Sequence, residues 1–223
     1  MCIAVAIDGP AGAGKSSVAK AVGKQLGLMY VDTGALYRTV ALAALKKGID
    51  ASSKAEVEIL LKEISVEMDF SENGGQVVLL NGEDVSGLIR TQQVSMAASD
   101  ISALPVVREY LLDLQRNIAK TKSVIMDGRD IGTVVLPNAQ VKIFLTASPE
   151  SRAERRYKEL AEKGEKTTVK DVLREVIKRD YNDTNRKAAP LRPAEDSVLV
   201  DTTNMNFDES VEAVAKIIRE RIS

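Results

Sequence analysis

Gly9-Pro10-Ala11-Gly12-Ala13-Gly14-Lys15-Ser16 fits G-x-x-x-x-G-K-[S/T], the pattern of a phosphate-binding loop, and Ser17 follows it. The flanking residues supply the context this pattern requires. Ile3-Ala4-Val5-Ala6-Ile7-Asp8 is short, apolar and partly β-branched, which reads as a buried strand. Val18, Ala19, Val22 and Leu26 recur at helical spacing, and Gly27 can close that helix. In this strand–loop–helix order, Gly9, Gly12 and Gly14 let backbone N–H groups turn inward around phosphate oxygens. The new helix presents its positive end to the same phosphates. Lys15 is placed to reach β- and γ-phosphates, and the Ser16 hydroxyl to bind Mg²⁺.

Downstream, Met29-Tyr30-Val31-Asp32 is a second short strand, and Thr33-Gly34 turns into a helix with Leu36, Val40, Ala44 and Leu45 on its apolar side. Tyr37 and Arg38 fall in the first turn of that helix. A cation there opposes the helix dipole, so Arg38 reads equally as an anion contact or as a solvated surface residue. Residues 50–63 form another expected helix, with Ser53 and Glu56 in capping-box spacing. The pattern then changes. Ile64 to Phe70 alternates as a half-buried strand does, Asn73-Gly74-Gly75 signals a turn, Gln76 to Leu80 is a strand, and Asn81-Gly82 is a tight turn before Glu83-Asp84-Val85. Residues of about 62–95 therefore read as a small antiparallel insert. Helices follow at Val94–Leu104 and Val106–Lys120, with Arg108 off the apolar face of the second.

Ser123 to Asp127 is a buried strand that runs into Gly128-Arg129-Asp130-Ile131-Gly132. In a parallel sheet this carboxyl end is where ligands bind. Val141 to Ala147 is the next strand, and Ser148-Pro149-Glu150 starts a helix that Gly164 ends. Arg152, Arg155 and Arg156 share one face of it. Thr167 or Thr168 caps the following helix, which reaches about Asn185 and carries Arg179, Asp183 and Arg186 on one face. Either cluster alone reads as a solvated face. Two of them flanking a glycine-containing bend, beside a phosphate loop, read as the jaws of a lid over about 152–186. Ser197 to Asp201 is the last strand. The last helix turns Phe207, Val211, Val214, Ile217, Ile218 and Ile222 to its apolar side. Five strands near 3–8, 29–32, 123–127, 141–147 and 197–201 alternate with helices. That predicts an α/β domain whose parallel sheet has helices on both faces.

The composition narrows the chemistry. The chain has 223 residues, 44% hydrophobic and 28% charged, with a net charge of −1, so one domain with an insert is expected and no overall basic field favours nucleic acid. No apolar run is as long as a membrane span, and the first residues lack the basic start of a signal peptide. The single Cys2, expected within the first strand, points to a reducing, cytoplasmic setting. There is no histidine, which removes the usual general base and the Ser-His triad. There is no guanine-reading N-K-x-D. A nucleoside monophosphate acceptor needs several cations to offset two sets of phosphates, and Arg38, Arg108, Arg129, Arg179 and Arg186 are available. A kinase for another small metabolite stays open on these grounds, as does a non-catalytic nucleotide-binding module. RNA binding is disfavoured because the arginines are not interleaved with aromatics, which make up 4% of the chain.

Four stretches carry a resemblance over essentially the whole chain: Ile7 to Ser17, Asp32-Thr33-Gly34-Ala35-Leu36-Tyr37-Arg38, Asp127 to Val135 (D-G-R-D-I-G-T-V-V), and Arg179-Asp180 through Asn185-Arg186. Together they resemble the bacterial-type cytidylate kinases of the nucleoside monophosphate kinase superfamily, with a P-loop NTPase fold. The insert stretch Glu83-Asp84-Val85-Ser86 to Ile89-Arg90 is also like that family and sets it apart from adenylate kinases. The resemblance implies transfer of a phosphoryl group from ATP to CMP or dCMP, with Mg²⁺ as cofactor; the charge, the hydropathy and the lack of an exposed heptad lead to the expectation of a monomer that binds neither nucleic acid nor membrane. Residues 9–17 would hold ATP, with Lys15, Arg129 and Arg186 catalytic. Thr33 (where many relatives have serine), Arg38, Arg129 and Arg186 would hold the acceptor phosphate. Ser99, Arg108 and Asp130 would read cytosine, and Arg179 and Asp183 would meet the pentose. Arg152, Arg155 and Arg156 would close on ATP. Ser16 would ligate Mg²⁺ directly and Asp127 through water.

Overall fold

The computed structural model describes residues 2–71, 75–162 and 164–222. Along the chain the elements are β1 (Ala4–Asp8), α1 (Lys15–Leu26), β2 (Met29–Asp32), α2 (Thr33–Lys46), α3 (Lys54–Glu63), β3 (Val66–Phe70), β4 (Gln76–Leu80), β5 (Glu83–Asp84), α4 (Gln92–Ser102) and α5 (Pro105–Thr121). There follow β6 (Val124–Gly128), one π-helical turn at Ile131–Val135, β7 (Val141–Thr146), α6 (Pro149–Glu162), α7 (Val169–Asn185), β8 (Val198–Asp201) and α8 (Phe207–Ile222). The five-stranded sheet has the order β2-β6-β1-β7-β8, all pairs parallel. β3, β4 and β5 form a separate antiparallel sheet, as the alternation after residue 64 predicts. No helix among the described residues is long and apolar enough to cross a membrane.

The central strand explains why its sequence is a continuous apolar run. Val5 and Ile7 pack with Val18, Val22, Ile143, Leu145, Val214 and Ile218 beneath α1 and α8. Ala6 joins Val31, Val124, Met126, Ile131 and Val135 on the other face. A strand buried on both faces has no polar side to show. Burying a side chain such as Ile7 contributes about 2 kcal/mol. A third cluster joins α2 to α3, α4, α5 and the insert, through residues such as Leu36, Val40, Leu60, Val78, Ile89 and Leu111. The insert is thus mounted on α2, the helix that follows the second strand of the main sheet.

Several local expectations are corrected. α2 begins at Thr33, as expected, but Asp32 caps it: its Oδ1 accepts Ala35 N–H at 3.1 Å, and Arg38 lies in the second turn rather than the first. From there Arg38 reaches back to the capping carboxylate, so it is an anion contact and not a solvated surface residue. The Ser53 capping box does not form. Ser53 stands at the N-cap of α3 without a side-chain bond, while Asp50 gathers Ser52 N–H and Oγ–H at 2.9 and 2.8 Å. Cys2 precedes β1 rather than lying in it. Phe207 and Ile222, at the two ends of α8, are exposed. Asn73 and Gly74 of the expected turn lie outside the described residues.

Candidate active site

Parallel register places three carboxylates at one edge of the sheet: Asp8 lies opposite Gly128, and Asp32 opposite Asp127. The loop after β1 turns over this edge. Gly9 has φ +148°, and a Cβ there would lie 1.9 Å from the Leu145 carbonyl oxygen of β7, so only glycine fits. Lys15 is buried, and its Nζ donates to the Pro10 carbonyl at 2.8 Å, closing the loop on its own lysine. Burial first, and the nearby charge of Arg129 second, bring the Lys15 pKa down to about 7. Ser16 and Ser17 are exposed at the mouth of the loop.

Ser16 Oγ donates to Asp127 Oδ2 at 2.8 Å, and the Tyr30 hydroxyl donates to Oδ1 at 3.0 Å. Asp127 is raised above the ordinary carboxylate range by burial and by the charge of Asp32, so a cation here would relieve it. A hydroxyl and one carboxylate are hard oxygen donors. They fit Mg²⁺, which keeps waters and takes phosphate oxygens rather than a closed protein cage. Among the described residues no group of three or more His, Cys, Asp or Glu gathers into such a cage.

The guanidinium groups converge on the same edge from α2, α7 and two connecting segments. Arg38 Nη2 pairs with Asp32 Oδ2 at 2.6 Å, and Arg90 from the insert approaches the same oxygen at 3.4 Å. Arg129 Nε donates to Asp183 Oδ2 at 2.8 Å. Burial opposes the charge on Arg129, yet Asp183, Asp127 and Asp8 together outweigh it and the Arg129 pKa is raised. Burial likewise works against ionised Asp183, but Arg129, Arg179 and Arg186 hold its pKa below the usual value. Arg179 has a buried Nε without a partner, and burial together with Arg129, Arg38 and Arg156 brings its pKa down to about 10. Arg186 donates from Nε to the Ala189 carbonyl at 2.7 Å, while its buried Nη2, 3.5 Å from Asp130 Oδ1, has no hydrogen bond. The Nε of Arg38 is also buried and unpartnered. Buried donors left without acceptors are costly unless an anion supplies them.

Arg108 is hydrogen-bonded to Asp130 Oδ2 and to the Ser102 carbonyl, at 3.1 Å for the latter, and stacks over Tyr37 at 5.3 Å. Ser99, Asp183 and Arg186 line a cleft of about 330 Å³ between α4 and α7. Thr33 is buried and donates its hydroxyl to the Asp127 carbonyl at 2.8 Å. The three arginines of α6 separate. Arg152 is buried and bonds the Ala147 and Ala11 carbonyls and Asp180. Arg155 donates to the Thr202 carbonyl at 2.6 Å, with Nη1 within 3.9 Å of the position a Gly14 Cβ would take. Arg156 pairs with Glu159 at 3.0 Å.

Sequence reasoning missed Asp8, Asp32 and Gln76. Asp8 accepts Ile131 N–H and Gly132 N–H, both at 2.7 Å, and burial raises its pKa to about 6. Gln76 of β4 pairs its carboxamide with the Asp32 backbone, accepting from N–H at 2.7 Å and donating to C=O at 3.0 Å. It fastens the insert to the edge strand of the main sheet. The available signal was a carboxylate ending each of two otherwise apolar strands.

The model of the family described as Cytidylate kinase matches residues 5–220. The chain is similar to the cytidylate kinase of Carboxydothermus hydrogenoformans, at 50% identity over 214 residues and 96% of each chain. It is 48% identical over 222 residues to that of Clostridium tetani, covering 100% of this chain and 96% of the relative. Among solved structures, an uncharacterized protein from Eubacterium ventriosum shares the fold with a TM-score of 0.52 at 14% identity, over 99% of this chain and 100% of that one.

Proposed function

The chain belongs to the cytidylate kinase family and is an ATP-dependent kinase of CMP and dCMP; we propose that it works at the carboxyl edge of its parallel sheet, between the phosphate loop and the converging arginines. The observation that carries this placement is the set of buried, unpartnered guanidinium N–H groups on Arg38, Arg179 and Arg186. An acceptor nucleotide supplies the missing oxygens, from its phosphate for Arg38 and Arg186 and from its pentose for Arg179.

In this reading residues 9–17 hold the phosphates of ATP. Lys15 leaves the Pro10 carbonyl for the β- and γ-phosphates, and their charge restores its proton. Thr33, Arg38, Arg129 and Arg186 hold the phosphate of CMP, Arg179 and Asp183 meet the pentose, and Ser99, Arg108 and Asp130 read the base. A carboxylate at Asp130 accepts from the N4 amino group of cytosine and meets only an acceptor on uracil. Ser16 and, through water, Asp127 would hold Mg²⁺, which supplies charge compensation for the transferring phosphoryl group. The acceptor oxygen is already ionised, so no histidine is needed. Lys15, Arg129 and Arg186 offset charge at the reacting centre. α6 and α7, packed through Ala153, Leu160, Val172 and Val176, form the lid, and residues of about 62–95 form the acceptor-side insert. Arg155 and Arg156 face ATP from the lid, and Arg152 braces it. The working unit in this reading is a cytoplasmic monomer, which sedimentation with and without substrates checks.

The test is coupled ADP release with Mg·ATP against CMP, dCMP, UMP, AMP, GMP, shikimate and gluconate. Activity confined to CMP and dCMP is expected. ADP release with another acceptor overturns the cytosine assignment, and ATP binding without acceptor-dependent ADP release reduces the protein to a nucleotide-binding module.

A further inference from the structure

Asp8 ends β1 immediately before Gly9, and its carboxylate is buried. It crosses to the bend after β6, where Oδ1 accepts Ile131 N–H and Oδ2 accepts Gly132 N–H, each at 2.7 Å. Those are the first two amides of the π-helical turn Ile131–Val135. The residue in the capping place of that turn is Asp130. In an α-helix an aspartate in that place bends its carboxylate back onto the second or third amide, here that of Gly132 or Thr133. Asp130 makes no such bond. Its oxygens face Arg108, in a direct hydrogen bond, and Arg186, at 3.5 Å. At the Gly132 amide, Asp8 does from a neighbouring strand what Asp130 would otherwise do for itself.

Gly132 completes the arrangement. A Cβ at that position would sit 3.3 Å from Asp8 Oδ2 and 3.2 Å from Lys142 Cδ, so glycine leaves the carboxylate room. Both acceptor oxygens of Asp8 are engaged at short, charge-assisted distance, and an amide side chain can supply only one acceptor.

We infer that Asp8 is a positioning residue for base recognition: it holds the amides of Ile131 and Gly132 so that the Asp130 carboxylate stays turned toward Arg108 and the base. The inference rests on the reading of Asp130 as the group that meets cytosine N4. It makes Asp8, a residue of the ATP-side strand, a determinant of acceptor choice. When Asp8 is replaced by Asn, one amide loses its acceptor, and Asp130 is drawn back onto it and away from the base.

The experiment compares kcat/KM for CMP and UMP, and KM for ATP, in the wild type, Asp8→Asn, Asp130→Ala and the double variant. Asp8→Asn should lower the CMP:UMP ratio on the order of tenfold, because a small misplacement of a recognition group has a large effect on rate. KM for ATP should stay within about twofold, as expected of an effect on acceptor binding alone. In the Asp130→Ala background, Asp8→Asn should leave the ratio where Asp130→Ala put it, since the two act through one group. A ratio that falls in Asp130→Ala but not in Asp8→Asn overturns the role given to Asp8, as does a further fall in the double variant. An unchanged ratio in Asp130→Ala overturns the base-reading assignment itself, and with it the consequence drawn for Asp8. Should Asp8→Asn not accumulate as folded protein, Gly132→Ala crowds the same carboxylate without removing it. It should lower the ratio in the same direction, and an unchanged ratio there counts against the proposal.

Discussion

Arg152 of α6 and Asp180 of α7 meet through two guanidinium–carboxylate hydrogen bonds, of 3.0 and 2.5 Å, and the same guanidinium reaches the Ala11 carbonyl of the phosphate loop at 3.0 Å. Its Nε holds the Ala147 carbonyl at 2.9 Å. One side chain, 3% exposed, thus ties the helical pair to the end of β7 and to the loop. Arg152→Ala leaves a carboxylate and two carbonyls unpaired. It should cost on the order of 3 kcal/mol of stability and raise KM for ATP more than KM for CMP. Arg152→Lys should recover little, since an ammonium cannot reproduce the planar fork. Urea unfolding and steady-state kinetics check both, and wild-type stability in the lysine variant would reject the account.

Arg38 gives the opposite balance. Its partner Asp32 caps α2 through Oδ1 and keeps Arg90 at 3.4 Å through Oδ2 after Arg38 is removed. Arg38→Ala should therefore destabilise by only about 1 kcal/mol. KM for CMP should rise roughly tenfold or more, because a charge-assisted phosphate contact is lost. KM for ATP should hardly move. A variant that loses ATP affinity as strongly as CMP affinity would place Arg38 on the donor side.

The phosphate loop, the five core strands and the antiparallel strands after residue 64 were legible because each is written in contiguous residues. Periodicity and the Gly-Lys-Ser spacing do not depend on the rest of the chain. The contacts that organise the site were not legible, because they join distant segments through sheet register. Asp8 meets amides 123 and 124 residues away. Arg152 meets a carbonyl 141 residues back, and Gln76 grips Asp32 across 44 residues. Nothing in a one-dimensional pattern separates Arg152, which is buried and braced, from Arg156, which shares its helix face and pairs with Glu159. The π-helical turn escaped for the same reason: its first amides are satisfied by Asp8 rather than by a local cap.

Two loop glycines with positive φ should differ sharply. At Gly9 an added Cβ would lie 1.9 Å from a backbone oxygen of β7, a central strand that cannot move aside. At Gly12, φ is +74° and the nearest atom to an added Cβ is Arg152 Cβ at 3.4 Å, an ordinary contact. Gly12→Ala should cost only the left-handed backbone penalty, about 1–2 kcal/mol. Gly9→Ala adds a clash within a close-packed core and should cost roughly 4 kcal/mol or more, or prevent folding. Thermal melts of the two variants, without nucleotide, decide it; equal losses would remove the clash as the cause.

The Asp8 carboxyl should also leave a mark on the pH dependence of stability. Burial raises its pKa from 3.8 to about 6, opposed by the amides of Gly132 and Ile131; Asp130 adds to the rise and Lys15 of α1 opposes it. Lys142 of β7 faces the same bend, its chain 3.2 Å from the place of a Gly132 Cβ. Between these two pKa values the folded protein holds a proton that the unfolded chain has released. The contribution of Asp8 to stability therefore declines as pH rises through that window, and is flat above it. Asp8→Asn has no proton to lose at this position. The stability difference, wild type minus variant, should shrink by up to about 1.4 kcal/mol per pH unit between roughly pH 4 and pH 6, then stay constant. Urea unfolding of both proteins at about pH 4.5, 5.5, 7 and 8 measures it. A difference that grows with pH across that interval would mean that the two amides hold Asp8 ionised throughout, with its pKa below that of the unfolded chain.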